Sequence, residues 1–486
     1  MESNLLKKLS FQSSFFPKRY LKWGLWFILF LSLHFFLVLI SSRFTYDQKT
    51  LGKPILLFAA IQIIAGLIYL LSLRDIYNHH FTRGFMYFAF AIGLALRLSM
   101  FASNPILEDD YYRYMWDGAV LMHGVNPYAY APDEVLSSSE DMDTLPTSLR
   151  KLSNENKQVL ERINHPHLRT IYPPVAQAFF AVAYMLAPWN LNAWRLVLLA
   201  CDMVTVFLLF IILKSLNLPL MWFAIYWWNP LVIKEVFNSG HMDVLVLPFV
   251  LGAFVLSRKG RYSLAAVVLA LAVGVKVWPV ILLPIMLRPI IRNPRQLLSP
   301  VILFSSTVLL LFLPIYTAGI GHSSGFNAYS RLWEMNDTFF MLLLWMVRFC
   351  LRNSESAQLV TRAIVMIILT GWIAWTALRD TKDHTDILKK PLMVVAALFL
   401  LSPTQFPWYY IWIIPFLTII PQTSLLLLTI LLPLYYLRFY FNARGMVNIF
   451  DYGIVWIEFV PVWLLLIWEW YRSSRKGESL HGNSLK

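Results

Sequence analysis

The densest run of chemically capable side chains is Glu108-Asp109-Asp110-Tyr111-Tyr112-Arg113-Tyr114-Met115-Trp116-Asp117-Gly118. If it is helical, Asp110, Arg113, Tyr114 and Asp117 fall at i, i+3, i+4 and i+7, which puts two carboxylates, a guanidinium and a phenol on one face. Three consecutive acids repel one another and raise at least one pKa, an arrangement suited to general-base work. A solvated, helix-capping acidic cluster would read the same way. Asn238-Ser239-Gly240-His241-Met242-Asp243 brings an imidazole and a carboxylate two positions apart to a predicted helix boundary, where ionisable groups at membrane depth need partners. Lys276, in Val275-Lys276-Val277-Trp278-Pro279, falls at another boundary, where a cation can meet a phosphate or snorkel to headgroups. Gly124-Val125-Asn126-Pro127-Tyr128, Tyr172-Pro173-Pro174 and Gln405-Phe406-Pro407-Trp408-Tyr409 supply turns and interfacial aromatics.

The elements that must hold these residues are membrane helices. Of the 486 residues, 58% are hydrophobic and 16% aromatic, more than a soluble core needs. Apolar runs long enough to cross a bilayer recur from Trp23 to Tyr471 and predict about fourteen transmembrane helices, within a range of about 11–15. The expected fold is an all-α polytopic bundle with a large outer first loop, 104–192, and short re-entrant or juxtamembrane helices at 173–188 and 338–350. The net charge of +14 sits in clusters beside apolar runs, where it orients the chain in the bilayer and gives no reason for a nucleic-acid partner. With both short apolar stretches on the outer side, the clusters at the N-terminus, Arg74–Arg83, Lys214, Arg258–Arg261, Arg288–Arg295, Lys382–Lys390 and Arg472–Lys476 all fall cytoplasmic. Both termini are then cytoplasmic and the acid-rich 104–172 stretch lies outside.

The expected organisation is an N-terminal tail with two extra helices (1–83), a catalytic module (84–318), an outer loop with a juxtamembrane helix (319–358) and C-terminal helices (359–486). The basic start resembles a signal sequence but lacks a small-residue cleavage site, and reads as a retained membrane segment. Cys201 and Cys350 support neither a disulfide framework nor a thiolate metal site. No Gly-rich phosphate loop, Cys-x-x-Cys pair or His-Glu-x-x-His helix is present, and nothing suggests a Rossmann-like domain for a soluble nucleotide sugar. Any sugar donor should therefore be lipid-borne.

Seven motifs occur in a fixed order: Glu108 with Asp110, Pro127-Tyr128, Tyr172–Pro174, Cys201-Asp202 with Thr205, Asn229-Pro230 before Gly240 and Asp243, Lys276 with Pro279, and Gln405 with Trp408-Tyr409. In that order they resemble the integral-membrane GT-C glycosyltransferases, above all the polyprenyl-phosphate-mannose-dependent mannosyltransferases, including the GPI mannosyltransferase that adds the first mannose. Two departures stand out: two helices precede the family's usual first one, and the acidic pair begins with Glu. The resemblance implies inverting transfer of a hexose, mannose being the sugar it points to, from a polyprenyl phosphate to a glycan or glycolipid acceptor on the outer face. The chemistry fits: a carboxylate takes the acceptor proton, while a phosphate leaving group mainly needs its charge stabilised.

Asp110 is the expected base, with Glu108 and Asp109 orienting the acceptor or tuning it. Arg113, His241 and Lys276 are candidates to hold the donor phosphate, with Arg331 and Arg444 in reserve; Asp117, Tyr172, Asp243 and Gln405 complete the substrate-binding set. No cofactor is required, although carboxylates at Glu108 and Asp110 suit magnesium or manganese. A transporter or flippase of lipid-linked sugars, and a polymerase or ligase of whole lipid-linked glycans, are the competing readings. A transporter would favour charge deep within the spans, where only Arg97, Asp202 and Glu458 fall. The expected location is a bacterial plasma membrane with the site on the periplasmic or extracellular side.

Overall fold

The computed structural model describes residues 18–77, 81–137, 145–319, 321, 323–351, 353–379 and 386–482. Lys7, Lys8 and part of the 382–390 basic cluster lie outside them. Among the described residues the chain is helical throughout, with one isolated β-bridge between Met335 and Thr404. It is an all-α polytopic membrane protein.

Eight helices are long and apolar enough to cross a membrane alone, and a bent pair makes up to nine. Three shorter apolar helices, Pro174–Leu186, Tyr262–Val275 and Phe339–Cys350, add to them. Several other predicted spans are chains of short turns. Residues 218–234 form Leu220–Phe223, Ala224–Trp227 and the start of a π-helical segment, while 277–290 and 407–422 open as 3-10 turns at Pro279 and Pro407. Proline lacks the amide that continues an α-helix, so these runs break at their prolines. Such backbone is tolerated at membrane depth where protein buries it or a cavity adjoins it.

Capping side chains define where the long helices begin. Thr82 Oγ1 accepts from Phe85 N, Asn190 from Asn192 N and Ala193 N, and Asn353 from Glu355 N and Ser356 N. The main core runs through the bundle and includes Trp194, Tyr226, Trp227, Phe237 and Tyr410. Buried charge inside it is paired: Arg97 Nε donates to Asp202 Oδ2 at 2.5 Å, its guanidinium lies 3.5 Å over Trp227, and the Tyr226 hydroxyl donates to the other Asp202 oxygen. Glu458 is also buried and accepts from Asn336 Nδ2 at 3.0 Å.

A second, smaller core sits over the acidic helix Asp110–Met122. Tyr112, Trp116 and Val120 pack there on Leu149, Leu152, Leu160 and Ile163 from the 147–163 stretch. The acidic helix lies against Pro174–Leu186, closely enough that a Cβ at Gly118 would meet Phe180 O at 2.4 Å. The Tyr114 and Phe180 rings stack across the same interface at 4.7 Å. The 174–186 helix starts at a proline, whose fixed φ suits the first helical position, and leaves Val182, Met185 and Leu186 exposed.

Candidate active site

A reversal of the chain builds the site. The segments Pro230–Asn238 and Met242–Arg258 meet at 105°, with Gly240 at φ 79°, a conformation that glycine adopts without Cβ strain. Trp194 Nε1 donates to Gly240 O at 2.7 Å, and Arg195 Nη2 donates to both Asn238 O and Ser103 O at 2.9 Å. Asn238 Nδ2 donates to Ser103 Oγ and Asn104 O, while Asn238 Oδ1 accepts from Ile106 N. The bend is thereby tied to the backbone just before Glu108. Arg195 and Asn238 do this positioning, and sequence reasoning missed both.

The acids and His241 consequently meet. His241 is fully buried and lies flat on Trp408, with ring centroids 4.0 Å apart and planes 13° from parallel. Its Nδ1 is 3.7 Å from Asp110 Oδ2, and its Nε2 is 3.6 Å from Glu108 Oε2 and 3.7 Å from Glu235 Oε2. Lys234 pairs with Glu235 at 3.4 Å, and both bond to the Tyr436 hydroxyl. This Lys234–Glu235–Tyr436 group escaped the sequence reading, although two adjacent opposite charges in an apolar run were a visible signal.

Burial pushes the Glu108 carboxyl up to about 8; the Lys234 charge pulls against that shift, and Asp110 adds to it. Asp109 also rises to about 8, through burial first and then the charges of Asp110 and Glu108. Repulsion among the acids thus contributes, but desolvation is the larger cause. Asp110 is the more exposed partner of His241, its side chain 30% accessible against 8% for Glu108, and the Tyr172 hydroxyl donates to its Oδ2 at 3.4 Å.

These acids open onto a cavity of about 740 Å³. Glu108, Asp109, Asp110, Arg113, Tyr172, Asp243 and Lys276 line it, with Trp278, Tyr329, Trp333, Trp408, Tyr409 and Trp412 as an aromatic wall. Pockets of this size, largely apolar with a few convergent polar groups, are where ligands bind. Lys276, in extended conformation after the Tyr262–Val275 helix, reaches Asp243 Oδ1 at 2.5 Å and lies 4.1 Å from the Tyr409 ring centroid. Asp243 Oδ1 also accepts from Trp412 Nε1 at 2.8 Å.

Other sequence candidates sit elsewhere. Asp117 accepts from Arg113 Nε and Gln177 Nε2 behind the cavity wall, where it holds the acidic helix against the 174–186 helix. His241 is buried behind the acids and is not among the residues that line the cavity. Gln405 is buried, its amide donating to Leu400 O and Ser402 O. Arg444 packs on Tyr440 away from the cavity, and the Arg331 side chain lies outside the described residues. Two lining cations were missed, Arg169 and Arg438. Both stand in runs otherwise read as loop or span, so only the folded walls reveal them. Among the described residues, no group of three or more His, Cys, Asp and Glu side chains is arranged to hold a metal ion.

Residues 96–292 match the MptA_B family, described as alpha-(1->6)-mannopyranosyltransferase, N-terminal domain. The matched stretch contains the acidic helix, the 230–258 bend and Lys276. No curated protein and no solved structure matches the chain.

Proposed function

Starting from a membrane-embedded glycosyltransferase of the mannosyltransferase class, we propose that this chain moves mannose from a polyprenyl-phosphate carrier to a hydroxyl of a glycan or glycolipid acceptor on the outer face, with inversion. The observation that carries this reading is the composition of the cavity. The lining presents Asp110, Glu108 and Asp109 together with Lys276, which stands on a different element from the acids. By analogy with inverting glycoside hydrolysis, the base and the departing group occupy opposite faces of the sugar.

Asp110 takes the acceptor proton as the new C1–O bond forms. The bond from C1 to the phosphate oxygen breaks, and its electron pair leaves with the phosphate. Glu108 and Asp109, held largely protonated near neutral pH, add little negative charge beside Asp110. Tyr172 orients the Asp110 carboxylate. The aromatic wall offers faces for sugar rings, and the cations compensate the phosphate charge as it develops.

The test is transfer of labelled mannose from polyprenyl-phosphate mannose in membranes containing wild type or Asp110→Asn. Transfer by the wild type and a loss of about a thousandfold or more in the variant, at equal protein abundance, is the expected result. Retained activity removes Asp110 from the base role, and no consumption of the lipid-phosphate sugar by wild type removes the donor.

A further inference from the structure

His241 is fully buried, yet among the described residues neither of its ring nitrogens has a hydrogen-bond partner. Its backbone N donates to Glu235 O at 3.0 Å, and its ring lies flat on Trp408, a stack that favours movement in the ring plane over tilting. Carboxyl groups face it from two sides. Asp110 Oδ2 lies 3.7 Å from Nδ1, while Glu108 Oε2 and Glu235 Oε2 lie 3.6 and 3.7 Å from Nε2. These separations are just beyond hydrogen-bond reach, and contacts of this kind tighten when substrate fills a site.

A neutral imidazole donates from one nitrogen and accepts at the other. Asp110, ionised as the base of the transfer reading, can only accept, which puts the proton on Nδ1 and turns the Nε2 lone pair toward Glu108 and Glu235. Glu235 is already an acceptor: Lys234 Nζ lies 3.4 Å from its Oε2, and the Tyr436 hydroxyl lies 3.0 Å from both of its oxygens. Glu108 is the carboxyl left to donate. Burial keeps its proton in place up to about pH 8, and its Oε1 is buried without a partner. The other groups whose charges reach Glu108 or His241 are Asp109, Lys234, Glu235, Asp243, Tyr435 and Tyr436.

We propose that Glu108, as the carboxylic acid, and His241 are positioning residues that act on Asp110 in series: the Glu108 O–H donates to Nε2 and fixes the tautomer, and Nδ1–H donates to Asp110 Oδ2 and holds the base ionised and aimed. The proposal rests on the transfer reading above and deepens it. Transfer then depends on one carboxyl keeping its proton while another, two residues on, has lost its own.

Two measurements on the full-length protein in membranes test it. The first needs no turnover: nitrogen NMR of isotope-labelled histidine, with the His241 signals identified by their loss in His241→Phe, reads which ring nitrogen carries the proton. Near neutral pH the expected state is a neutral ring protonated on Nδ1, with the proton moving to Nε2 as Glu108 ionises above about pH 8; in Glu108→Gln the Nδ1–H state should persist through that range. An imidazolium, or a proton on Nε2 near neutral pH, overturns the proposal.

The second is the pH profile of mannose transfer. Wild-type kcat should fall above about pH 8 at unchanged KM for the lipid-phosphate sugar. Glu108→Ala should lower kcat at least about tenfold near neutral pH at equal abundance. Glu108→Gln, whose amide can still donate to Nε2, should recover most of that loss and abolish the alkaline fall. In His241→Phe, which keeps the stack on Trp408, adding Glu108→Ala should cost less than about twofold more, because its effect passes through the missing imidazole. An alkaline fall that survives in Glu108→Gln, a Gln variant as slow as the Ala variant, or full additivity with His241→Phe each overturns the proposal. Absence of transfer by the wild type would count against the transfer reading, and the histidine signals would still decide the order of protons.

Discussion

Lys276 Nζ sits 2.5 Å from Asp243 Oδ1, and this pair joins Met242–Leu245 to the extended link between Tyr262–Val275 and Trp278–Leu282, at the cavity wall. Each partner compensates a charge that would be expensive alone, because Asp243 is buried and Lys276 is only partly accessible. Lys276→Met and Asp243→Asn should each lower the thermal midpoint, and the double variant should lose less than the sum of the two by about 1–3 kcal/mol. A double-mutant cycle in detergent measures this, and strict additivity would mean the pair is not coupled.

The Tyr172 hydroxyl reaches Asp110 Oδ2 while its ring packs on Tyr114 and Phe180. Tyr172→Phe keeps the ring packing and removes one hydrogen bond. Transfer should fall about threefold to tenfold, the kinetic equivalent of about 0.5–1.5 kcal/mol, at unchanged abundance. A full loss of transfer would assign the hydroxyl a direct part in the chemistry.

Glu108 ionises near 4.5 in an unfolded chain and near 8 in the folded one. Between those values the folded state keeps a proton that the unfolded state has lost, so this group's contribution to stability is greatest at low pH and falls as pH rises through that window. The wild-type thermal midpoint should therefore drop between about pH 5 and about pH 9, and Glu108→Gln, which cannot ionise, should drop by less. Identical slopes in the two proteins would contradict the buried, proton-holding Glu108.

Arg97 and Asp202 form a fully buried pair inside the bundle. Arg97→Met leaves the Asp202 carboxylate without its cation, and the expected cost is about 3–5 kcal/mol, seen as reduced membrane abundance. Full abundance of the variant would show that the pair is not a structural element.

Gly118 meets the backbone of Phe180, and any Cβ there must push the acidic helix off its neighbour. Gly118→Ala should destabilise by at least about 1–3 kcal/mol and lower transfer together with stability, because the same helix begins at Asp110. Thermal melting and mannose transfer on the same preparation check both effects.

The acidic trio was legible because three adjacent carboxylates repel one another, and the helical spacing that groups Asp110, Arg113 and Tyr114 is local geometry. The same spacing overreached at Asp117, whose partners Arg113 and Gln177 turn it into a support behind the wall. His241 was legible as a partnered ionisable group. Its place behind the acids was not, because stacking on Trp408 joins positions more than a hundred residues apart.

The amino-acid order alone fixed the membrane character, the long apolar helices and the local grouping of acids, since hydropathy and helical periodicity are properties of neighbouring residues. Only the tertiary structure decided where the prolines interrupt spans to form the cavity and which cations line it. Those outcomes depend on contacts between distant segments, such as Arg195 to Asn238 and Ser103, and no short-range pattern encodes them.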